Sequence, residues 1–182
     1  MEVCCDLSAN LLESLHSDQL NLVVALVAEE QKQYLVQTWE ERPFWVVGKS
    51  SNAHTKSPLP LVGHFENCEY RKRMTQALKL KNRTWRSAYM SPEITGVQQA
   101  VEAGLGVTAL TRPTLTKGMR TLSENDGFPQ LEKIRVGLFF KLPRMSEGGR
   151  ELATRLIASI DKSTDEHFVR APHQEFPQHK EF

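Results

Sequence analysis

"VEAGLGVTALTR", residues 101–112, decides the fold. Ile94, Val97 and Val101 recur at helical spacing and share one apolar face. Gly104 follows the last of these periodic residues. The spacing predicts a left-handed helix cap there, a conformation that is cheap only without a Cβ. Gly106 is then expected to let the helix backbone pass close to the strand that follows, and "GVTAL" (106–110) reads as a buried strand. Helix, tight glycine turn and buried strand form the second half of a strand–helix–strand unit. The "GLG" follows a helix and not a strand, so it is no dinucleotide-binding fingerprint.

The pattern extends in both directions. "TWRSAYM" (84–90) supplies the strand before the helix. Ser91 is expected to cap that helix, Pro92 to sit at its first position, and Glu93 to suit the positive end of its dipole. Further upstream, "LPLVGH" (59–64) reads as a strand. Residues 67–80 read as a helix with Tyr70, Met74, Ala77 and Leu78 on one face. Downstream, "GMRTL" (118–122) and "IRVGLFF" (134–140) read as strands, and 149–160 as a helix with Leu152, Leu156 and Ile160 on one stripe. In the N-terminal part, "EVCC" (2–5) reads as a strand. Ser8 would cap a helix bearing Leu11, Leu12 and Leu15, and "LNLVVALVA" (20–28) reads as a parallel-sheet strand buried on both faces. "YLVQTWEERPFWVVG" (34–48) gives two extended segments broken near Pro43, the second more buried. "KSSNAHTKSP" (49–58) is a polar loop and the expected first crossing between lobes.

Composition excludes several classes. The 182 residues suffice for one core or two small lobes. Lys plus Arg number 23 against 22 acidic residues, which argues against a dedicated nucleic-acid surface. No apolar run is long enough to span a bilayer, and "MEVCCDLS" has neither the basic nor the apolar region of a signal peptide. Three cysteines, two of them adjacent, make a poor disulfide framework, and no Cys/His spacing suits zinc. A reducing cytoplasm is the expected compartment.

The chain resembles the effector-binding domain of LysR-type transcriptional regulators. The likeness is carried by "DLSANLLESLHSDQLNLVVALV" (6–27), "PLPLVGHFENCEYRKRMTQAL" (58–78), "WRSAYMSPEITGVQQAVEAGLGVTALTR" (85–112) and "LFFKLPRMSEGGRELATRLIASI" (138–160). Within the family it leans towards the LrhA/HexA-like branch, which controls motility and secreted factors. The resemblance implies an α/β fold of two Rossmann-like lobes, similar to a type 2 periplasmic binding protein. It implies a small-molecule effector between the lobes, a homodimer or tetramer, no cofactor, and promoter DNA bound only through an N-terminal helix-turn-helix that this sequence lacks. The family's first strand and first helix of lobe one also have no counterpart here, and Asn21 stands where the family usually has an acidic residue. The expected layout is lobe one at 1–50, lobe two at 51–133, a return to lobe one with the C-terminal helix at 134–160, and a polar tail without a packed core at 161–182.

Ligands of open α/β sheets sit beyond the carboxyl ends of strands, where helix N-termini point. That rule, supported by the resemblance, selects Ser8, Ala28, His64, Phe65, Asn67, Cys68, Met90, Ser91, Pro92, Glu93 and Thr95 as the effector rim. Each has a plainer reading: Ser8 and Ser91 as helix caps, Phe65 as packing. Cys68, near a helix N-terminus, is a candidate reactive thiolate or a small space-filling residue. Cys4 and Cys5 read as packing residues. The basic run 70–83 is either a nucleic-acid contact or the solvated face of a helix, and Trp39, Trp45 and Trp85 read as core or hinge packing. No nucleophile elbow, zinc motif, P-loop or carboxylate pair is present, and a His64–Cys68 dyad has no supporting geometry. The expected function is effector sensing and self-association within a LysR-type regulator. The alternatives are a solute-binding protein, which would need export, an enzyme lacking a visible constellation, and a remnant that binds nothing.

Overall fold

The structure, a computed structural model, describes residues 2–27, 33–65, 68–142, 145–167 and 169–170. The chain divides into two compact units, Met1–Glu41 with Arg135–Phe182, and Arg42–Ile134.

The second unit contains β3 (Phe44–Gly48), β4 (Leu59–Gly63), α2 (Glu69–Leu80), β5 (Trp85–Met90), α3 (Ile94–Glu102), β6 (Thr108–Leu110) and β7 (Met119–Leu122). β4 pairs in parallel with β5, and a parallel bridge from Leu61 to Val107 joins β4 to the β6 segment. β3 lies antiparallel between β6 and β7. The strand order is therefore β5-β4-β6-β3-β7. Helix α2 covers one face, where Met74, Ala77 and Leu78 pack on Trp45, Leu59, Leu61, Val107 and Ala109. Helix α3 covers the other, where Val97, Ala100 and Val101 pack on Val46, Val62 and Leu110. All five β4 residues are buried, as a strand covered on both faces requires.

The glycine turn caps its helix as the sequence predicts, but the close approach at Gly106 is to β4 and not between α3 and the strand that follows it. Gly104 has φ +78°, and the Gly104 and Leu105 N–H groups donate back to the Val101 and Ala100 carbonyls. Gly106 is needed because a Cβ there would lie 2.5 Å from the Pro60 carbonyl oxygen of β4. The close approach is thus to the neighbouring strand.

The first unit contains α1 (Ser8–His16), β1 (Leu22–Leu26), β2 (Leu35–Glu41), β8 (Ile134–Phe140), α4 (Glu147–His167) and β9 (Val169–Arg170), with strand order β1-β8-β2-β9. Leu12 and Leu15 of α1 pack on Val23, Ala25, Val27 and Phe139. On the opposite face Ala153 of α4 joins Trp39, Leu138, Phe140 and Met145.

Several expectations are corrected here. Residues 2–5 form no strand, and Cys4 and Cys5 are exposed, not packed. β1 is not buried on both faces, since Val24 is 37% exposed, and its partner β8 is antiparallel, not parallel. The exposure follows from β1 ending the sheet among the described strands, and the antiparallel direction from its partner being the returning strand β8 and not residues 2–5. The unit boundary falls at Glu41/Arg42 and not in the loop 49–58, because β3 pairs only with strands of the second unit. Helix α4 continues beyond residue 160 to His167, so the expected tail is helical at its start. The remainder, 171–182, lies outside the described residues.

Candidate functional site

β4, β5, β6 and β7 all run in one direction, because β3 is antiparallel to both β6 and β7. Their carboxyl ends therefore open on one edge of the second unit. This edge gathers the residues after β4 and β5, then Thr111 and Arg112 after β6, and finally Ser123 after β7 beside the start of β3.

At the β4–β5 end, Nδ1 of His64 lies 2.8 Å from the Ser91 carbonyl oxygen. A carbonyl only accepts, so Nδ1 carries the proton and, in the neutral ring, Nε2 is left as an acceptor. The Ser91 N–H donates to the Gly63 carbonyl at 3.0 Å, continuing the parallel ladder past β5. The buried Ser91 hydroxyl accepts from the Glu93 N–H and donates to the Glu93 carbonyl, both at 3.1 Å. Gly96 permits this arrangement: a Cβ there would come within 2.5 Å of Ser91 Oγ. Arg71 reaches across from α2, donating to the His64 carbonyl at 3.3 Å and to Ser87 Oγ at 3.4 Å, with Met90 Sδ also in contact. Its guanidinium lies 5.7 Å from the Trp85 ring centroid.

The structure thus brings together His64, Phe65, Cys68, Met90, Ser91, Pro92, Glu93 and Thr95 on two successive strand ends. Phe65 is 49% exposed, and Pro92, Glu93 and Thr95 are also open to solvent. Ser91 does not cap α3; its bonds close a turn before the helix, whose N-cap is Glu93, so Pro92 stands just outside. Cys68 is the N-cap residue of α2, but burial pushes its thiol pKa up, which disfavours the reactive thiolate. Ser8 belongs to the first unit. It caps nothing: its hydroxyl accepts from the Leu26 N–H at 3.0 Å, at the end of β1. Ala28 and Asn67 lie outside the described residues.

Sequence reasoning missed the β3–β7 end of the same edge. A cavity of about 390 Å³ opens there, lined by Arg42, Phe44, Trp45, Ser123, Phe128 and Gln130 among others. Arg42 Nη1 donates to Gln130 Oε1 at 2.7 Å, and Trp45 Nε1 donates to the Pro129 carbonyl at 2.8 Å. Arg112 lies over the Phe44 ring at 5.1 Å, between the two ends. The break at Pro43 was the only local signal. Among the described residues no three His, Cys, Asp or Glu side chains gather as metal ligands, and no helix is long and apolar enough to cross a membrane.

This topology, with parallel strands opening on one edge and a returning antiparallel strand in each sheet, defines the class: a type 2 periplasmic-binding-protein-like α/β domain. The model of the LysR substrate binding domain matches residues 1–141, and the chain belongs to that family. It is similar to the HTH-type transcriptional regulator PecT of Dickeya dadantii (strain 3937), 22% identical over 162 residues that span 89% of this chain and 50% of PecT. The apo regulatory domain of HypT from Salmonella typhimurium superposes with TM-score 0.70 at 16% identity, covering 89% of this chain and 82% of that one. Full-length HypT, a hypochlorite-specific LysR-type transcriptional regulator, gives TM-score 0.64 at 16% identity, covering 81% of this chain and 54% of that one. The chain therefore spans about half the length of the whole regulators it matches.

Proposed function

We propose that this chain is the effector-sensing and self-associating part of a LysR-type transcription regulator, acting in the cytoplasm and not as an enzyme. Its effector is a small anion held at the carboxyl edge of the second unit's sheet. The observation that carries this reading is the placement of Arg71, Arg112 and Arg42 along that one edge, at whose β5 end α3 also begins. Cationic side chains and a helix N-terminus both favour negative charge. Near them, His64, Phe65, Ser91 and Thr95 offer polar and apolar contacts of the mixed kind that small-ligand sites use.

The family resemblance adds that the ligand is held between two lobes and that binding shifts how paired copies meet. That shift is a coupling between effector affinity and domain arrangement. Promoter DNA is then engaged only through a helix-turn-helix of the whole regulator.

Calorimetry against small carboxylates and aromatic acids tests the proposal. A saturable ligand is expected, and Arg71→Met is expected to weaken it at least tenfold, the effect of losing a charge-assisted hydrogen bond of about 1.5–3 kcal/mol. Binding that Arg71→Met and Arg112→Met both leave unchanged would remove the edge as the site. A sequence-selective gel shift by this chain alone would contradict the division of labour.

A further inference from the structure

The carboxyl edge of the second unit has two ends, and they are too far apart for one small ligand. In the order β5-β4-β6-β3-β7, β7 lies three strands from β4. Neighbouring strands stand about 4.8 Å apart, which separates the two ends by about 14 Å. The Arg71–His64 end and the cavity beside β3 and β7 therefore call for different ligands.

The β3–β7 cavity lies wholly within the second unit. Its volume of about 390 Å³ falls within the range of about 300–1,000 Å³ usual for small-molecule sites. The floor is apolar and closely packed. Trp45 and Phe128 are buried with ring centroids 5.2 Å apart, and Leu122 and Leu131 belong to the same core cluster. The Trp45 indole N–H is already satisfied by the Pro129 carbonyl, so the floor asks a ligand for no acceptor. Phe44 is a half-buried wall, its ring held under the Arg112 guanidinium.

The polar lining is exposed and carries one cation, Arg42. Its Nη1 donates to Gln130 Oε1, and among the described residues its other guanidinium N–H groups have no partner. Glu124 also lines the cavity, and its carboxylate disfavours a second negative charge on the occupant.

We infer that this cavity is a second ligand site, separate from the Arg71 end, for a monocarboxylate with a flat apolar body. The body lies on the apolar floor and the carboxylate takes the open N–H groups of Arg42. The inference rests on the reading of this edge as anion-binding but makes no use of Arg71. The walls Arg42–Trp45 and Pro129–Leu131 lie close in sequence to the unit boundaries at Glu41/Arg42 and Ile134/Arg135. An occupant thus braces both chain connections of the second unit, as the Arg42–Gln130 bond already does.

Indole proton–nitrogen NMR of the full chain, with benzoate as the probe, tests this. The three tryptophans report on different places. Trp45 reports on the cavity, Trp85 on the Arg71 guanidinium 5.7 Å from its ring, and Trp39 on the first unit. Benzoate should move the Trp45 signal saturably and leave Trp39 in place. Arg42→Met should weaken the affinity reported by Trp45 about tenfold or more. Gln130→Glu, close in shape and at an exposed position, should do the same by seating a carboxylate against Arg42. Arg71→Met should leave that affinity unchanged, and benzyl alcohol, the neutral counterpart of the probe, should bind far more weakly. A Trp45 signal that stays still at millimolar benzoate, or moves without saturating, overturns the inference. So does a Trp45 response lost in Arg71→Met, which makes the edge one site, or a response that Arg42→Met and Gln130→Glu both leave intact. Equal binding of benzyl alcohol overturns the anionic class. A responding Trp45 beside a silent Trp85 supports the cavity, while the Arg71 end stands or falls by its own calorimetry.

Discussion

The second unit's sheet has a strand on each side of β4 and β6 and a helix on each face, whereas among the described strands β1 is the last of the first unit's sheet. The same local pattern, an amphipathic helix followed by an apolar strand, gives a strand paired on both sides in one unit and, among the described residues, a strand paired on one side in the other. A central strand lends its neighbours both hydrogen bonds and apolar cover, and residues 2–5, with no strand beside them among the described residues, are exposed and in no strand. Stability should therefore be unequal. In urea, amide exchange should show the first unit opening before the second.

The largest effect expected within that comparison comes from Trp45→Ala. Trp45 is fully buried, 5.2 Å from the Phe128 ring centroid, and its indole N–H is bonded to Pro129. Truncation should remove about 3–5 kcal/mol, read as loss of exchange protection across β3, β6 and β7. If β1 and β8 lose protection equally, the units unfold as one body and the comparison fails.

Gly106→Ala should come next. Its Cβ would press on the Pro60 carbonyl oxygen, so β4 must move from β6. About 1–3 kcal/mol is expected for such overpacking, with Val62 and Val107 amides the first to lose protection. Gly104→Ala is expected to cost about 1–2 kcal/mol through its φ of +78° alone. Thermal melts of the two variants sharpen the comparison. Only Gly106→Ala should expose β4, because Gly104 sits in a turn where a Cβ meets no backbone closer than 3.4 Å, only the Ser51 side chain.

What the sequence made legible follows the range of the interactions involved. The Val97–Val101 face, the Gly104 cap and the strand 134–140 depend on near neighbours and stand where their patterns place them, whereas Ile94, expected on the same face, is 37% exposed at the start of its helix. "EVCC" has the composition of a strand, but a strand needs a partner, and composition does not supply one. Ser8 looked like a cap because caps are local; its partner, Leu26, lies beyond the helix on β1. The rim at His64, Met90 and Ser91 was readable from strand ends, whereas Arg42 with Gln130 pairs positions far apart in the chain and left no local trace.

The smallest effect is the pH response of the second unit, and its sign is fixed by His54. Burial, then the adjacent Arg120 guanidinium, hold the His54 pKa below its ordinary 6.5, while Asp126 opposes them and Arg83 adds to them. Arg120 Nη2 lies 3.2 Å from Nε2 and can only donate, so Nε2 accepts and the ring is neutral. The unfolded chain takes up a proton at higher pH than the folded one. Stability is therefore complete above 6.5 and declines as pH falls through that value towards the lower folded pKa. The urea midpoint of the second unit should fall modestly between about pH 7.5 and about pH 5.5, across the ordinary titration range of histidine. His54→Gln should flatten that slope while leaving the first unit's response unchanged. A slope untouched by the substitution would assign the titration elsewhere and separate the two units less sharply than their sheets do.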